Sequence, residues 1–334
     1  GKYYHDYSDD TSWGPRMVGQ EYIPWYAWYP GTQYSYKTTT LDPQPNNTKD
    51  YYNTGVNLNN SISYGTSDEK SDFKMTYGNQ YVVGLIPESN LLKNTFQLVG
   101  NYKITDKLTV GANINYVKQV LKGNIADGYS NLGTGSFNQW FHRNLDMGIM
   151  KELRGLTVPG TGPGRDILAS WNHFNPTAYD PANTFGFYGN HYWFNPYSFQ
   201  DYQKNENQRD RLYGNVSLTY KVNNDLKFTA TYRKQQNTTF SEGRLYDILQ
   251  RSGQAVGSFN GYSTANTYSN IENYEAVGNY VKKISDFSVA VTAGMDIRRQ
   301  RSTSNSANTN QGLSIPDLFT VNNSVNPPTI GNGR

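Results

Sequence analysis

The sequence contains no cysteine and no long apolar segment, and each absence excludes a class of protein. Without cysteine, disulfides, thiolate catalysis and Cys-ligated metals are excluded. The longest apolar stretch, residues 81–86, ends at Pro87 and falls far short of the roughly 18 residues that a membrane helix needs. If this chain crosses a membrane, it must therefore do so as β-strands.

Charge of one sign and catalytic motifs are also scarce. The 30 basic and 27 acidic residues nearly balance, and no basic run is long enough to indicate nucleic acid as a partner. The four histidines share no metal-binding spacing on a helix, and no glycine-rich segment has the Lys-Ser/Thr of a phosphate-binding loop. The sequence thus predicts no catalytic residue, no cofactor and no metal centre, and the chain is not expected to be an enzyme.

What the sequence does contain is tyrosine. Only 36% of the 334 residues are hydrophobic and the mean hydropathy is −0.77, yet 29 residues are Tyr and 15% are aromatic. A disordered chain would be poor in aromatic residues, and a soluble core of this size would use more Leu, Ile and Val. Such numbers are typical of an outer-membrane barrel, whose wet interior alternates with a thin lipid-facing band.

Between Tyr52 and Arg301 apolar and polar residues alternate with a period of two, which predicts strands with two different faces. In the clearest strand one face carries Leu212, Gly214, Val216, Leu218, Tyr220 and Val222. A polar turn, residues 223–225, leads into a second strand that begins at Leu226. The pattern recurs and predicts about eight strands in four hairpins: 56–64 with 73–77, 96–104 with 108–116, 212–222 with 226–232, and 274–284 with 287–297.

The predicted connections are short within each hairpin and long between hairpins. The long links are residues 79–91, 120–207, 238–269 and everything after 301. Short turns at one rim and long loops at the other are typical of outer-membrane barrels, whereas loops of this length are uncommon in compact domains. Tyrosines near strand ends on the apolar face agree with an aromatic girdle at the membrane border, although tyrosine is also simply a good strand residue.

The fold prediction is therefore all-β: an antiparallel transmembrane β-barrel segment with long extracellular loops. We divide the chain into an aromatic-rich extracellular loop (1–50), two hairpins of barrel wall (51–120), a long aromatic-rich extracellular loop (121–207), two further hairpins with an intervening long loop (208–301) and the truncated start of another extracellular loop (302–334).

The loop 121–207 carries the candidate functional residues. Its aromatic side chains stand among Asn, Gly and Asp, a setting that suits ligands which stack on rings and bond to amides. The candidates for contact with a substrate or a lid are Trp140, Trp171, Tyr192, Trp193 and Tyr197. The alternative is that these rings pack the loop into a self-supporting cap.

Several segments resemble the SusC/RagA group of TonB-dependent outer-membrane transporters. Each segment alone is modest, but they occur in the order of that family along most of the chain: 12–20 (SWGPRMVGQ), 53–61 (NTGVNLNNS), 84–89 (GLIPES), 108–116 (LTVGANINY), 139–147 (QWFHRNLDM), 193–197 (WFNPY) and 210–218 (DRLYGNVSL). The resemblance implies a 22-stranded barrel with a plugged lumen, an N-terminal plug coupled to TonB, and a SusD-like surface lipoprotein over the barrel.

This chain shows neither plug nor TonB box and too few strands to close such a barrel, so we expect an internal fragment of the barrel. The function that the resemblance implies is import of oligosaccharides or peptides across the bacterial outer membrane, with outer-membrane lipid, TonB and the SusD-like lipoprotein as partners. The alternative is a secreted β-rich carbohydrate-binding protein that uses loop aromatics as a sugar platform. A polysaccharide-degrading enzyme ranks third.

Overall fold

The structure, a computed structural model, describes residues 3–9, 11–123, 128–161, 165–253 and 261–333. Its main feature is a sheet of nine antiparallel strands that lie side by side in chain order. The strands are β1 (Val56–Ser67), β2 (Ser71–Val83), β3 (Asn90–Lys103), β4 (Leu108–Lys122), β5 (Gln203–Lys221), β6 (Leu226–Leu245), β7 (Gly261–Ile284), β8 (Phe287–Leu313) and β9 (Ser324–Gly333).

Every strand pairs with its neighbours in sequence, and β4 pairs with β5 although 80 residues separate them. Within the described residues the edge strands β1 and β9 are not paired with each other. The prediction of an antiparallel β-structure is confirmed. The ninth strand lies in segment 302–334, which the sequence predicts as loop.

Four tight turns close the hairpins at one end of the sheet. In the β5–β6 turn, Asn223 Oδ1 accepts hydrogen bonds of 2.9 Å from the backbone N–H groups of Asp225 and Leu226. In the β1–β2 turn, Asp68 Oδ1 accepts 2.7 Å bonds from the N–H groups of Lys70 and Ser71. These side chains replace missing backbone partners, which is why Asn and Asp occupy such turns. We call this the turn end and the opposite one the loop end.

The strands reach further towards the loop end than the alternation predicts. β7 has 24 residues and β8 has 27, whereas a tilted strand crosses a bilayer with about 9–11. The link predicted at 79–91 shrinks to residues 84–89, and β6 and β7 occupy much of the link predicted at 238–269. In these extensions both faces of the strand carry polar residues. The alternation of apolar and polar residues is therefore absent there, and the sequence pattern does not reveal that the strand continues.

One face of the sheet is a continuous apolar surface, which we call the apolar band. The register aligns the apolar sets of neighbouring strands, so that Val216 pairs with Tyr232, Tyr232 with Tyr274, and Tyr274 with Ile297. From Leu212 on β5 to Val222, the first residue after β5, the band measures about 33 Å along the extended chain, or about 25 Å across a bilayer at a tilt of about 40°. This is the height of the lipid-facing band of an outer-membrane barrel.

No second sheet covers the apolar band within the described ranges. Leu218 is 44% exposed, Phe228 51% and Met295 58%. A secreted sandwich would bury these side chains between two sheets. The structure therefore argues against the alternative of a secreted β-rich carbohydrate-binding protein.

The opposite face, the lumen face, is polar. Arg233 forms a bidentate ion pair with Glu275, with a shortest N–O distance of 2.7 Å. Gln80 Nε2 donates a 3.1 Å hydrogen bond to Asn57 Oδ1. Side chains on this face hydrogen-bond to one another across strands, and such cross-strand pairs stabilise the sheet. The apolar residues lie on the other face.

The remaining residues form a compact unit at the loop end, which we call the loop domain. It comprises the described parts of residues 3–55 and 123–202 together with a helix of the β6–β7 link. Its helices are α1 (Asn47–Tyr51), α2 (Met147–Glu152), α3 (Phe185–Tyr188), α4 (Pro196–Tyr202) and α5 (Asp247–Ser252). Single 3₁₀ turns occur at Trp25–Trp28, Gly135–Asn138 and Pro176–Ala178, and a fourth, Val321–Asn323, precedes β9. Short strands are Tyr3–Tyr4, Glu21–Ile23, Thr39–Thr40, Thr157–Val158 and Ile167–Leu168.

Aromatic side chains supply most of the loop-domain core. The largest fully buried side chains include Trp25, Trp171, Tyr29, Tyr51 and Phe141. They pack mainly edge to face, as Phe141 does on Trp171 with ring centroids 5.2 Å apart. Such large rings fill a core whose backbone is mostly turn and loop. No helix of the described residues is long and apolar enough to span a bilayer.

Candidate functional site

A repeated tyrosine contact borders the apolar band on the side of the loop end. Tyr77 donates a 2.7 Å hydrogen bond to Asn94, Tyr116 a 2.6 Å bond to Asp210, and Tyr232 a 3.0 Å bond to Glu272. In each case the acceptor lies on the next strand, two residues beyond the ladder partner of the tyrosine in the loopward direction. The ring thus covers apolar surface while its hydroxyl reaches a polar row, the geometry of an aromatic girdle.

Beyond this border the same face becomes charged. Lys118 is the ladder partner of Asp210, and Lys122 Nζ lies 3.5 Å from Glu206 Oε2. Lys234 Nζ lies 3.8 Å from Glu272 Oε1. On this face the side chains change from apolar to charged within two residues along a strand. This change marks where the lipid-compatible surface ends.

Two adjoining cavities of about 390 and 370 Å³ lie on the lumen face near the loop end of β5–β8. Both are bordered by Asn205, Gly243, Ser263 and Asn308. We call them together the lumen trough. A Cβ atom on Gly243 would lie 2.6 Å from Ser263 Oγ, so glycine keeps the trough open. Amide and hydroxyl groups stand along its walls, among them Asn205, Ser263 and Asn308, and these can bond to the hydroxyls of a sugar or to a peptide backbone. The residues of this site have no motif spacing, so the site is not recognisable from the sequence.

The structure separates the five candidate aromatic residues of the loop. Trp171, Trp193 and Tyr197 are 0%, 4% and 4% exposed and lie in the core of the loop domain. Trp140 is half-buried against the same core, and Tyr192 is 45% exposed. Packing is therefore the role that the structure gives to the three buried rings. Contact with a substrate or lid stays a prediction, and Tyr192 is the best placed for it.

Buried asparagines hold this region in shape. Asn172 donates to the carbonyl oxygen of Tyr7 through Nδ2 and accepts 2.7 and 2.9 Å bonds from the N–H groups of Tyr192 and Trp193 through Oδ1. Asn195 caps α4 by accepting a 3.0 Å bond from the N–H of Tyr197. Each amide satisfies backbone groups that no helix or sheet would satisfy.

The four histidines of the chain converge on residues 5–9, which we call the N-terminal strap. His142 Nε2–H donates a 3.0 Å bond to the carbonyl oxygen of Asp9, and the Nδ1 atoms of His142 and His5 are 3.3 Å apart. His191 Nδ1–H donates a 2.9 Å bond to the carbonyl oxygen of Ser8. The ring of His173 lies 5.9 Å from that of Tyr7.

Burial keeps two of these histidines neutral. It lowers the pKa of His142 to about 4, with the neighbouring His5 as a smaller cause. Burial also lowers the pKa of His173 to about 4. Despite this clustering, no three His, Cys, Asp or Glu side chains are grouped to hold a metal ion in the part of the chain that the structure describes.

Comparison with known proteins shows where this fold occurs. No protein-family model and no curated protein matches the chain. Among solved structures, the RagAB peptide importer in its closed-closed state matches at 13% identity and a TM-score of 0.58, over 86% of this chain and 30% of that one. The open-open state matches at 13% and 0.57, over 86% and 29%. A further RagAB peptide transporter structure matches at 12% and 0.57, over 83% and 28%.

This chain thus spans about 30% of the length of the transporter chains that it matches. At these identities the likeness concerns the fold. It agrees with the fold that the resemblance to the SusC/RagA group implies, and with a chain that supplies part of a larger barrel. The nine-stranded sheet and its loop domain have the fold of a segment of the RagAB transporter β-barrel.

Proposed function

We propose that this chain forms barrel wall and outer loops of a TonB-dependent importer of the SusC/RagA group in the bacterial outer membrane. The observation that carries the proposal is the apolar band, which is continuous over eight strands, bordered by tyrosines and opposed by a polar lumen face. A surface with these properties is stable in lipid and unstable in water. The long connections and the loop domain then lie on the extracellular side.

The substrate is an oligosaccharide or a peptide, and the lumen trough contacts it. Support comes from the amide and hydroxyl walls of the trough and from its place beneath the loop end, where an entering ligand first meets the wall. The RagAB structures are named as a peptide importer and transporter. A SusD-like lipoprotein over the loop end and a plug that engages TonB complete the transporter, as the resemblance implies. Transport is not an enzymatic reaction, and this proposal assigns no catalysis to the chain.

The proposal is tested by narrowing the trough in the complete transporter. Asn308→Trp places a large ring on the lumen face between β7 and β9, whereas Asn305→Trp on the same strand places it on the opposite face. We expect uptake of labelled oligosaccharide or peptide to fall with Asn308→Trp and to persist with Asn305→Trp, at equal amounts of protein in the outer membrane. Equal uptake by both variants would contradict the role of the trough. Recovery of the unmodified protein in the soluble fraction without detergent would contradict the membrane placement.

A further inference from the structure

Three cations stand together on the lipid-facing side of the sheet, directly above the tyrosine border. Lys234 follows Tyr232 by two residues on β6, and Arg299 follows Ile297 by two residues on β8, with Arg301 one step further. Side chains two residues apart on a strand share a face, so all three lie on the face of the apolar band. We call Lys234, Arg299 and Arg301 the basic patch.

Only one acidic side chain faces the basic patch from the strand between. Glu272 of β7 is the ladder partner of both Lys234 and Arg299, and it also accepts the hydroxyl of Tyr232. Arg301 is paired instead with Asn270, whose own partner on β6 is Gln236. Three positive charges against one negative charge leave a surplus of two.

The rest of the same border has no such surplus. On β4 and β5, Lys118 faces Asp210 and Lys122 faces Glu206, one acid for each base. A charge surplus therefore occurs at one place on the border rather than along its whole length. A general need for solubility would not produce this difference between neighbouring hairpins.

One arginine of the patch is also held in place by an aromatic ring. Arg299 sits over the ring of Tyr274 with its Cζ atom 5.8 Å from the centroid. A guanidinium held on a ring keeps its N–H groups directed outwards, where they can bind a phosphate in a bidentate manner.

We infer that the basic patch binds the phosphate of a lipid headgroup in the leaflet next to the loop end. The tyrosine row marks the membrane–water boundary, and headgroup phosphates lie at that height, one or two ladder steps above the last apolar row. Arg299 and Arg301 contact the phosphate, and Lys234 adds charge. This inference rests on the membrane placement proposed above.

The experiment uses the complete protein, extracted from outer membranes and stripped of lipid in detergent. It is titrated with short-chain phosphatidylglycerol, and bound lipid is counted by native mass spectrometry. The variant Lys234→Gln/Arg299→Gln/Arg301→Gln is compared with Lys118→Gln/Lys122→Gln, which removes two cations from the balanced part of the border. We expect lipid affinity to fall at least about five-fold in the first variant, since each cation near an anionic headgroup contributes a factor of that order, and to be nearly unchanged in the second.

Three results would overturn the inference. Unchanged lipid binding in the triple variant would show that the patch takes no part, and an equal loss in the control variant would show a general charge effect. Equal binding of uncharged diacylglycerol would show that the site does not recognise a phosphorylated headgroup. If the protein is found in the outer membrane and yet fails this test, only the patch is refuted, whereas its absence from the membrane refutes the proposed function itself.

Discussion

The hydroxyl of Tyr116 lies 2.6 Å from Oδ1 of Asp210. The ladder partner of Tyr116 on β5 is Leu212, and Asp210 lies two residues from Leu212 towards the loop end. The ring therefore leans diagonally across the ladder with its tip in the first charged row. The contact joins the last apolar row to the first polar one, and it recurs on two other strand pairs along the border of the apolar band.

Removing this hydroxyl should destabilise the sheet modestly. For Tyr116→Phe we expect the free energy of unfolding to fall by about 1 kcal/mol, which is less than the roughly 1.5–3 kcal/mol of hydrogen bonds to charged groups because the pair is partly exposed. Urea unfolding in lipid vesicles measures the change. Tyr220→Phe is the control, because the hydroxyl of Tyr220 has no hydrogen-bond partner among the residues that the structure describes. Equal losses in the two variants would contradict a specific role for the Tyr116 contact.

A charge in the middle of the apolar band should be costly, but the same charge on the neighbouring residue should not. Val291 is 53% exposed on the apolar band, whereas Thr292 faces the lumen and donates a 3.0 Å bond to Asn279. We expect Val291→Arg to cost about 2–4 kcal/mol, as for arginine on the lipid face of a barrel near the midplane, and Thr292→Arg to cost about 1 kcal/mol, the value of one hydrogen bond. The measurement is the folded fraction in vesicles across a urea series. The reverse order would place lipid on the other face.

The loop domain should depend on its buried rings and not on its exposed one. Trp171 is fully buried, whereas Tyr192 is 45% exposed. Trp171→Ala should destabilise the loop domain by about 3–5 kcal/mol, through lost apolar contact and the cavity left behind, while Tyr192→Ala should change its stability by less than about 1 kcal/mol. Limited proteolysis of the protein in membranes follows the loop domain separately from the sheet. If Tyr192→Ala lowers uptake without raising protease sensitivity, this ring contacts the substrate or the lid.

Acidification should loosen the N-terminal strap. The pKa values of His142 and His173 are lowered to about 4 by burial, so protonation favours the open state, in which the side chains return towards about 6.5. The stabilisation is complete above pH 6.5 and is lost as the pH falls towards 4, by up to about 3 kcal/mol for each histidine. Protonated His142 would present an N–H to the N–H of His5, and protonated His173 would bury a donor at Nε2, which has no partner.

The measurement is the rate at which a protease cuts residues 3–9 of the protein in membranes, compared between pH 7.5 and pH 5. We expect the rate to rise at the lower pH in the unmodified protein, and to rise less in His142→Asn, which cannot titrate at that position. A rate that is independent of pH would refute the role of these histidines. A rise that is equally steep in His142→Asn would move the effect to another group.

The apolar band is the part of the fold that the sequence predicts best. Val216, Leu218 and Phe228 alternate with polar residues because one face meets an apolar medium and the other meets water, and this contrast is visible in the letters themselves. The tight turns are also readable, since Asn223 and Asp68 belong to residue types that satisfy turn backbone. The strand extensions are not, because from about residue 298 onwards β8 has water-compatible side chains on both faces and its pairing depends on the neighbouring strands.

The loop domain shows the same limit. The density of aromatic residues indicates packing or binding, but only the folded chain reveals that Trp171 and Trp193 point inwards and Tyr192 outwards. Asn195-Pro196 is readable as a turn from composition, whereas the structure uses the pair as the cap and first residue of a helix. The lumen trough joins Asn205 to Asn308, which are brought together by strand pairing and not by any local spacing.

The asparagine that ties Tyr7 to Trp193 has a consequence for how the chain folds. Asn172 and Tyr7 are 165 residues apart in the sequence, and strands β1–β4 lie between them. When the two main segments of the loop domain meet, they therefore close a chain loop that contains both hairpins, β1–β2 and β3–β4. Contacts of such long sequence separation form late, because the entropy of closing the loop is lost before they contribute stability. Once formed, the contact holds together, at the loop end of the sheet, the two chain segments that flank β1–β4.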